Sequence, residues 1–211
     1  MSCFACLLLI FLRKILAHKH ATFHTHKRCN TLKNTALKKI LVFISSLFFA
    51  NSNAQTEFDL EKALKIERRD MIVMKIDTYL NSKFEYGENI EKLNPSQRTF
   101  LFVENLEREI NNGGFNQFYF NSSGDFSQET VNALLEIGAK KTAEIVKKAN
   151  SEFKNGIVPK DRTERQNELE LIEEKAEENW NKCDSEFYEY QDNLTELLIA
   201  FVIKNKSEFK K

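Results

Sequence analysis

The chain has 211 residues, 42% hydrophobic and 29% charged, with a mean hydropathy of -0.47, values that exclude a polytopic membrane protein and a wholly disordered one and leave room for one domain with a real core. Its formal charge of zero hides a division: all 31 acidic residues lie from Glu57 onward, whereas eight of the 31 basic ones precede Ala54. The first segment is therefore basic and the remainder carries an excess of eight negative charges.

Along the chain, Lys38-Lys39 precede an apolar run from Ile40 to Ala50, and Asn51-Ser52-Asn53-Ala54 closes it with small residues where a signal peptidase reads. This is the pattern of a secretory signal peptide, with cleavage expected between Ala54 and Gln55. The run is short for a bilayer span and an acidic sequence follows it, so no stable span is expected in the mature chain. The segment before it is long for a leader, and translation is expected to begin near Leu32. Cys3 and Cys6, and His18, His20, His24 and His26, have metal-like spacing, but cleavage would discard them all.

The expected mature chain, Gln55 to Lys211, then holds no histidine and one cysteine, Cys183. No His-based triad, Cys-His dyad or internal disulfide can be built from it, and no metal or cofactor is expected. No lipid-bearing cysteine follows the apolar run, so the product is expected to be secreted or periplasmic.

Apolar residues from Phe58 to Leu80 recur at helical spacing and predict a helix over about Glu57 to Asn81. Asn94-Pro95 is an N-cap followed by proline at the first helical position, and Phe100, Val103, Leu106 and Ile110 form one stripe, so a second helix is expected from Pro95 to Asn112. Phe115 to Phe120 reads better as a short helix than as a strand. Ser127 is placed to cap a helix that buries Val131, Leu134, Leu135 and Ile137, and Gly138 breaks it before the period resumes from Ala139 to Phe153. Two helices or one kinked helix fit equally. Asn155-Gly156 to Pro159 reads as a loop. Asp161 to Glu164 has the character of a capping box, opening a helix to about Trp180. A last amphipathic helix follows Asp192. The reading is an all-α single compact domain of about six to seven helices after the leader.

The stretch Asn112-Gly113-Gly114-Phe115-Asn116-Gln117 resembles the NGGF-x-Q signature of the DNA-mimic protein family. Ala133 to Ala139, and Asp184 to Tyr188 with Asp192 to Leu198 and Phe201-Val202, are similar to segments of the same family, so the resemblance covers roughly Glu109 to Glu208. Within it Glu109, Asn112, Gly113, Gly114, Phe115, Gln117 and Asn121 are read mainly as structural: paired glycines leave a helix, and Asn112, Gln117 and Asn121 can satisfy freed backbone groups.

The resemblance implies an acidic homodimer whose carboxylates imitate DNA phosphates and occupy a DNA-binding regulator. The candidate face is Glu164, Glu168, Glu170, Glu173, Glu174, Glu177 and Glu178, several of them four apart and about 6 Å along a helix. The competing account is a solvated face relieved by Arg162, Arg165 and Lys175. Export conflicts with a cytoplasmic regulator as partner, and an excess of eight charges is modest for imitating a duplex. The sequence therefore points first to an exported, non-enzymatic protein-binding module with a basic protein partner. A DNA mimic is the alternative and a carboxylate-dependent enzyme the third reading. No catalytic residue is singled out, and no direct nucleic-acid binding is expected.

Overall fold

A computed structural model describes residues 58–84 and 89–210. The expected leader, residues 1–54, lies outside them. Among the described residues the regular structure is all helical: α1 (Leu60–Ala63), α2 (Arg69–Lys83), α3 (Pro95–Phe120), α4 (Ser127–Ile137), α5 (Lys140–Asn150), α6 (Arg162–Phe187), α7 (Leu194–Lys204) and α8 (Lys206–Phe209). Three short 3-10 turns, Ile90–Lys92, Ser122–Phe126 and Lys154–Gly156, join them. The all-α expectation holds, with eight helices where six to seven were expected.

The expected first helix is two. Asp59 caps α1, which ends after one turn, and the chain restarts at Arg69 to bury Ile72, Val73, Ile76 and Leu80. The apolar period ran through the break because Leu64 and Ile66 still pack against the core from the intervening loop.

In α3 the capping box is complete. Asn94 Oδ1 accepts from the Gln97 N–H at 2.9 Å, and Gln97 Oε1 accepts in return from the Asn94 N–H at 3.3 Å. Gly113 and Gly114 have non-helical backbone, so the helix breaks after Asn112 as expected, and the chain resumes as the short aromatic helix through Phe120, the second limb of α3. Phe115, Phe118 and Tyr119 are buried, while Phe120 stays 54% exposed.

Phe126, not Ser127, is the N-cap of α4; Ser127 is buried and its hydroxyl donates to Asn150 Oδ1 at 3.2 Å. Leu135 faces outward, contrary to the inward position read from the sequence. Gly138 ends α4 in the left-handed region at φ 91°, which resolves the open alternative in favour of two helices. At α6, Asp161 Oδ1 accepts from the Glu164 N–H at 2.9 Å, and the helix runs past Trp180 to Phe187 because Cys183 and Phe187 extend its buried stripe. The central layer is α3 against α6, with α4 and α5 completing the core around it, while α7 packs on α2.

Candidate functional site

The signature is assembled around one carboxylate. Glu109 Oε2 accepts from Gln117 Nε2 and from Asn121 Nδ2, each at 2.8 Å, and Oε1 accepts from Ser123 Oγ at 3.0 Å. Gln117 and Asn121 thus bind a side chain across the kink instead of freed backbone groups, and Asn112 is exposed. The freed Phe115 N–H is taken by Asp184 Oδ1 at 2.9 Å. Gly114 has φ 72°, and a Cβ on it would lie 2.2 Å from Asp184 Oδ2; a Cβ on Gly113 would lie 2.4 Å from Gln117 Oε1. Gly114 is therefore required by its left-handed backbone and the approach of Asp184, whereas a side chain at Gly113 would push the Gln117 amide aside. Burial pushes the Asp184 carboxyl up, opposed by the Phe115 N–H.

Arg165 is not a surface cation. It is fully buried, in register with Leu169, Ala176 and Trp180. Nε donates to Tyr119 O at 2.6 Å, Nη1 to Pro159 O and Lys160 O at 2.8 and 3.1 Å, and Nη2 to Asn121 O at 2.9 Å and Asp125 Oδ1 at 2.5 Å. One guanidinium satisfies carbonyls from both loops that flank the α3–α6 seam, which Lys could not do.

With Arg165 inside, the acidic helix divides. At about 100° per residue, Glu170, Glu173, Glu174 and Glu177 occupy one edge of α6, and Glu164 and Glu168 occupy the other. The contacts agree: Asn116 Nδ2 of α3 donates to Glu173, while Glu168 Oε1 accepts from the Lys154 N–H on the opposite side at 2.9 Å. Glu178 pairs with Lys182 at 2.7 Å, and Glu186, on the Glu168 side, pairs with Lys148 at 2.8 Å. No ion pair among the described residues involves Glu170, Glu173, Glu174 or Glu177. The seven glutamates are therefore not one face. Four of them form an uncompensated row beside the second limb of α3, continued by Asn181 and Asp184 with no Lys or Arg.

A further cluster was not singled out by the sequence. Glu104 of α3 lies near Glu107 of the same helix and Asp77 of α2, with Arg108 beside them, its Nη1 3.4 Å from Asp77 Oδ2. Burial, reinforced by the charges of Glu107 and Asp77 and opposed by Arg108, pushes the Glu104 carboxyl up to about 8. Burial also raises Glu107, against a hydrogen bond from Tyr190, and raises Asp77, against Arg108 and Asn81. The cluster can hold a proton at neutral pH. Its only advance sign was the spacing of Glu104, Glu107 and Arg108 on one side of α3.

Cys183 is buried, and burial pushes its thiol up to about 11, so it has the properties of a core residue. Among the described residues no group of three or more His, Cys, Asp or Glu side chains could hold a metal ion, and no helix is long and apolar enough to cross a membrane.

These features define an all-helical domain in which Asp184 of α6 closes the Gly-Gly kink of α3, and which displays a row of carboxylates without an ion pair among the described residues. The family model described as DMP19-like protein matches residues 91–205, and the chain belongs to that family. The match spans the 3-10 turn before α3 through α7, beginning earlier than the resemblance read from the sequence. No curated protein and no solved structure matches the chain.

Proposed function

We propose that this protein acts by binding another protein, presenting the Glu170-Glu173-Glu174-Glu177 edge of α6 to a Lys/Arg-rich surface that otherwise holds nucleic-acid phosphates. Family membership supports the DNA-mimic reading over the broader binding module expected from sequence. The observation that carries it is the placement of four carboxylates on one edge without a cation. Like charges three and four apart repel by a few tenths of a kcal/mol per pair, a cost that a basic partner offsets. A second copy would present a second row, and sedimentation equilibrium tests whether a homodimer forms.

The test is competitive release. The immobilised domain is exposed to an extract of the native host, and bound protein is challenged with duplex DNA. The proposal predicts a captured DNA-binding protein that duplex DNA displaces. Retention of every captured protein in excess DNA contradicts it.

The leader pattern favours a second reading: Lys38-Lys39, the run Ile40 to Ala50 and Ala54 would send the domain out of the cytoplasm, where the same edge would meet a basic envelope or secreted protein. N-terminal sequencing of fractionated cells separates the two. Gln55 at the N-terminus in an envelope or secreted fraction supports export, and an uncleaved cytoplasmic chain supports the DNA mimic.

A further inference from the structure

The sequence contains two Asn-Gly pairs, Asn112-Gly113 and Asn155-Gly156, and the fold holds them differently. Both asparagines are exposed. Asn112 has helical backbone at the end of the first limb of α3. Asn155 lies in the Lys154–Gly156 turn with φ 58° and ψ 19°, in the left-handed region, and Gly156 follows with φ 70°.

The turn is held by local bonds: the Gly156 N–H to Phe153 O at 2.8 Å, the Ile157 N–H to Lys154 O at 3.1 Å, and the Lys154 N–H to Glu168 Oε1 at 2.9 Å. Such an exposed turn opens at lower free energy than a packed helix, and glycine has no Cβ to shield its nitrogen.

We propose that Asn155 is a site of spontaneous deamidation, while Asn112 is protected by the helix. When the turn opens, the Gly156 backbone nitrogen loses its proton to solvent base and attacks Asn155 Cγ. The new N–Cγ bond forms as the Cγ–Nδ2 bond breaks, and Nδ2 takes up a proton and leaves as ammonia. Water then opens the cyclic imide. Cleavage at Cγ gives aspartate, and cleavage at the backbone carbonyl gives isoaspartate; nothing is oxidised or reduced.

Each product adds a carboxylate to the loop. The isoaspartyl form also inserts a methylene into the backbone and displaces the Gly156 carbonyl, which accepts from Gln128 Nε2 of α4 at 3.0 Å. The protein therefore converts with age into more acidic forms, one of them with a loosened contact between α4 and the loop.

The full chain is incubated in mildly alkaline buffer, and the peptides bearing Asn155 and Asn112 are followed by mass spectrometry, with isoaspartyl methyltransferase labelling to detect isoaspartate. Asn155 is expected to convert several-fold faster than Asn112 in the folded protein, the two rates to converge in urea, and N155Q to lack the acidic isoform on ion exchange. Equal rates in the folded protein, faster conversion at Asn112, or an acidic isoform that persists in N155Q would overturn the proposal.

Discussion

The Phe115 N–H and the Asp184 carboxylate meet at 2.9 Å across 69 residues of chain, and this contact caps the second limb of α3 where the Gly113-Gly114 kink interrupts the helix. Asp184 on α6 stands where an N-cap side chain would, at the first free N–H after Gly114. Asp184→Ala is expected to destabilise the fold by about 1–3 kcal/mol in urea denaturation, and Asp184→Asn, whose Oδ1 can still accept, by less. Gly114→Ala meets both a positive φ and the Asp184 carboxylate. Its cost should shrink in the Asp184→Ala background, and full additivity in the double-mutant cycle would show that the two positions do not touch.

Arg165 has a comparable role on the other side of the seam. Removing it leaves five acceptors without their donor in a buried place, so Arg165→Ala is expected to cost about 3–5 kcal/mol. Arg165→Lys should recover only a small part, because an ammonium cannot span the carbonyls of Tyr119, Pro159 and Asn121. Chemical denaturation of both variants checks this, and a near-wild-type Lys variant would contradict it.

The carboxylate cluster between α2 and α3 predicts a pH dependence. Glu104 titrates near 4.5 unfolded and about 8 folded, so across that window the folded state binds more protons. Stability should accordingly fall as pH rises from about 4.5 to about 8, with the full cost present above it. Glu104→Gln removes the ionisable group and should flatten this slope, leaving the variant more stable than the parent by a few kcal/mol at alkaline pH. Denaturation midpoints measured across the range decide it; parallel curves for the two proteins would contradict the assignment.

Much of the fold was legible because it rests on local chemistry. Asn94-Pro95 and Asp161 announce helix starts by their own hydrogen bonds, and Gly138 announces an end by its left-handed backbone. What failed was long-range. Nothing near Gly113-Gly114 shows that Asp184 will cap the limb that follows the break. Nothing near Glu109 shows that Gln117, Asn121 and Ser123 will close on it. Arg165 lay in register with Leu169 and Ala176, which marks a buried position, but its charge invited a surface reading. The candidate face was drawn from residues four apart, a spacing that gives neighbours without fixing which edge of a packed helix each neighbour occupies. Glu164 and Glu168 consequently fall on the far edge from Glu173 and Glu177.

The unpaired edge also carries a stability signature. Replacing Glu170, Glu173, Glu174 and Glu177 together by Gln relieves several like-charge neighbours and should raise thermal stability, by a few tenths of a kcal/mol per pair at low salt. The gain should fade as salt screens the repulsion. Calorimetry at two ionic strengths measures it, and a drop in Tm at low salt would mean that these carboxylates contribute to the fold.

The most direct test of the central claim compares two variants against the protein captured in the duplex-DNA release experiment. One carries Glu170, Glu173, Glu174 and Glu177 changed to Gln, the other Glu164 and Glu168. Titrations across a salt series give Kd and its salt dependence for each. The account predicts that the first set loses most of the affinity and flattens the salt dependence, while the second binds nearly as the parent does. Unchanged binding by the first set, or equal losses in both, would contradict it.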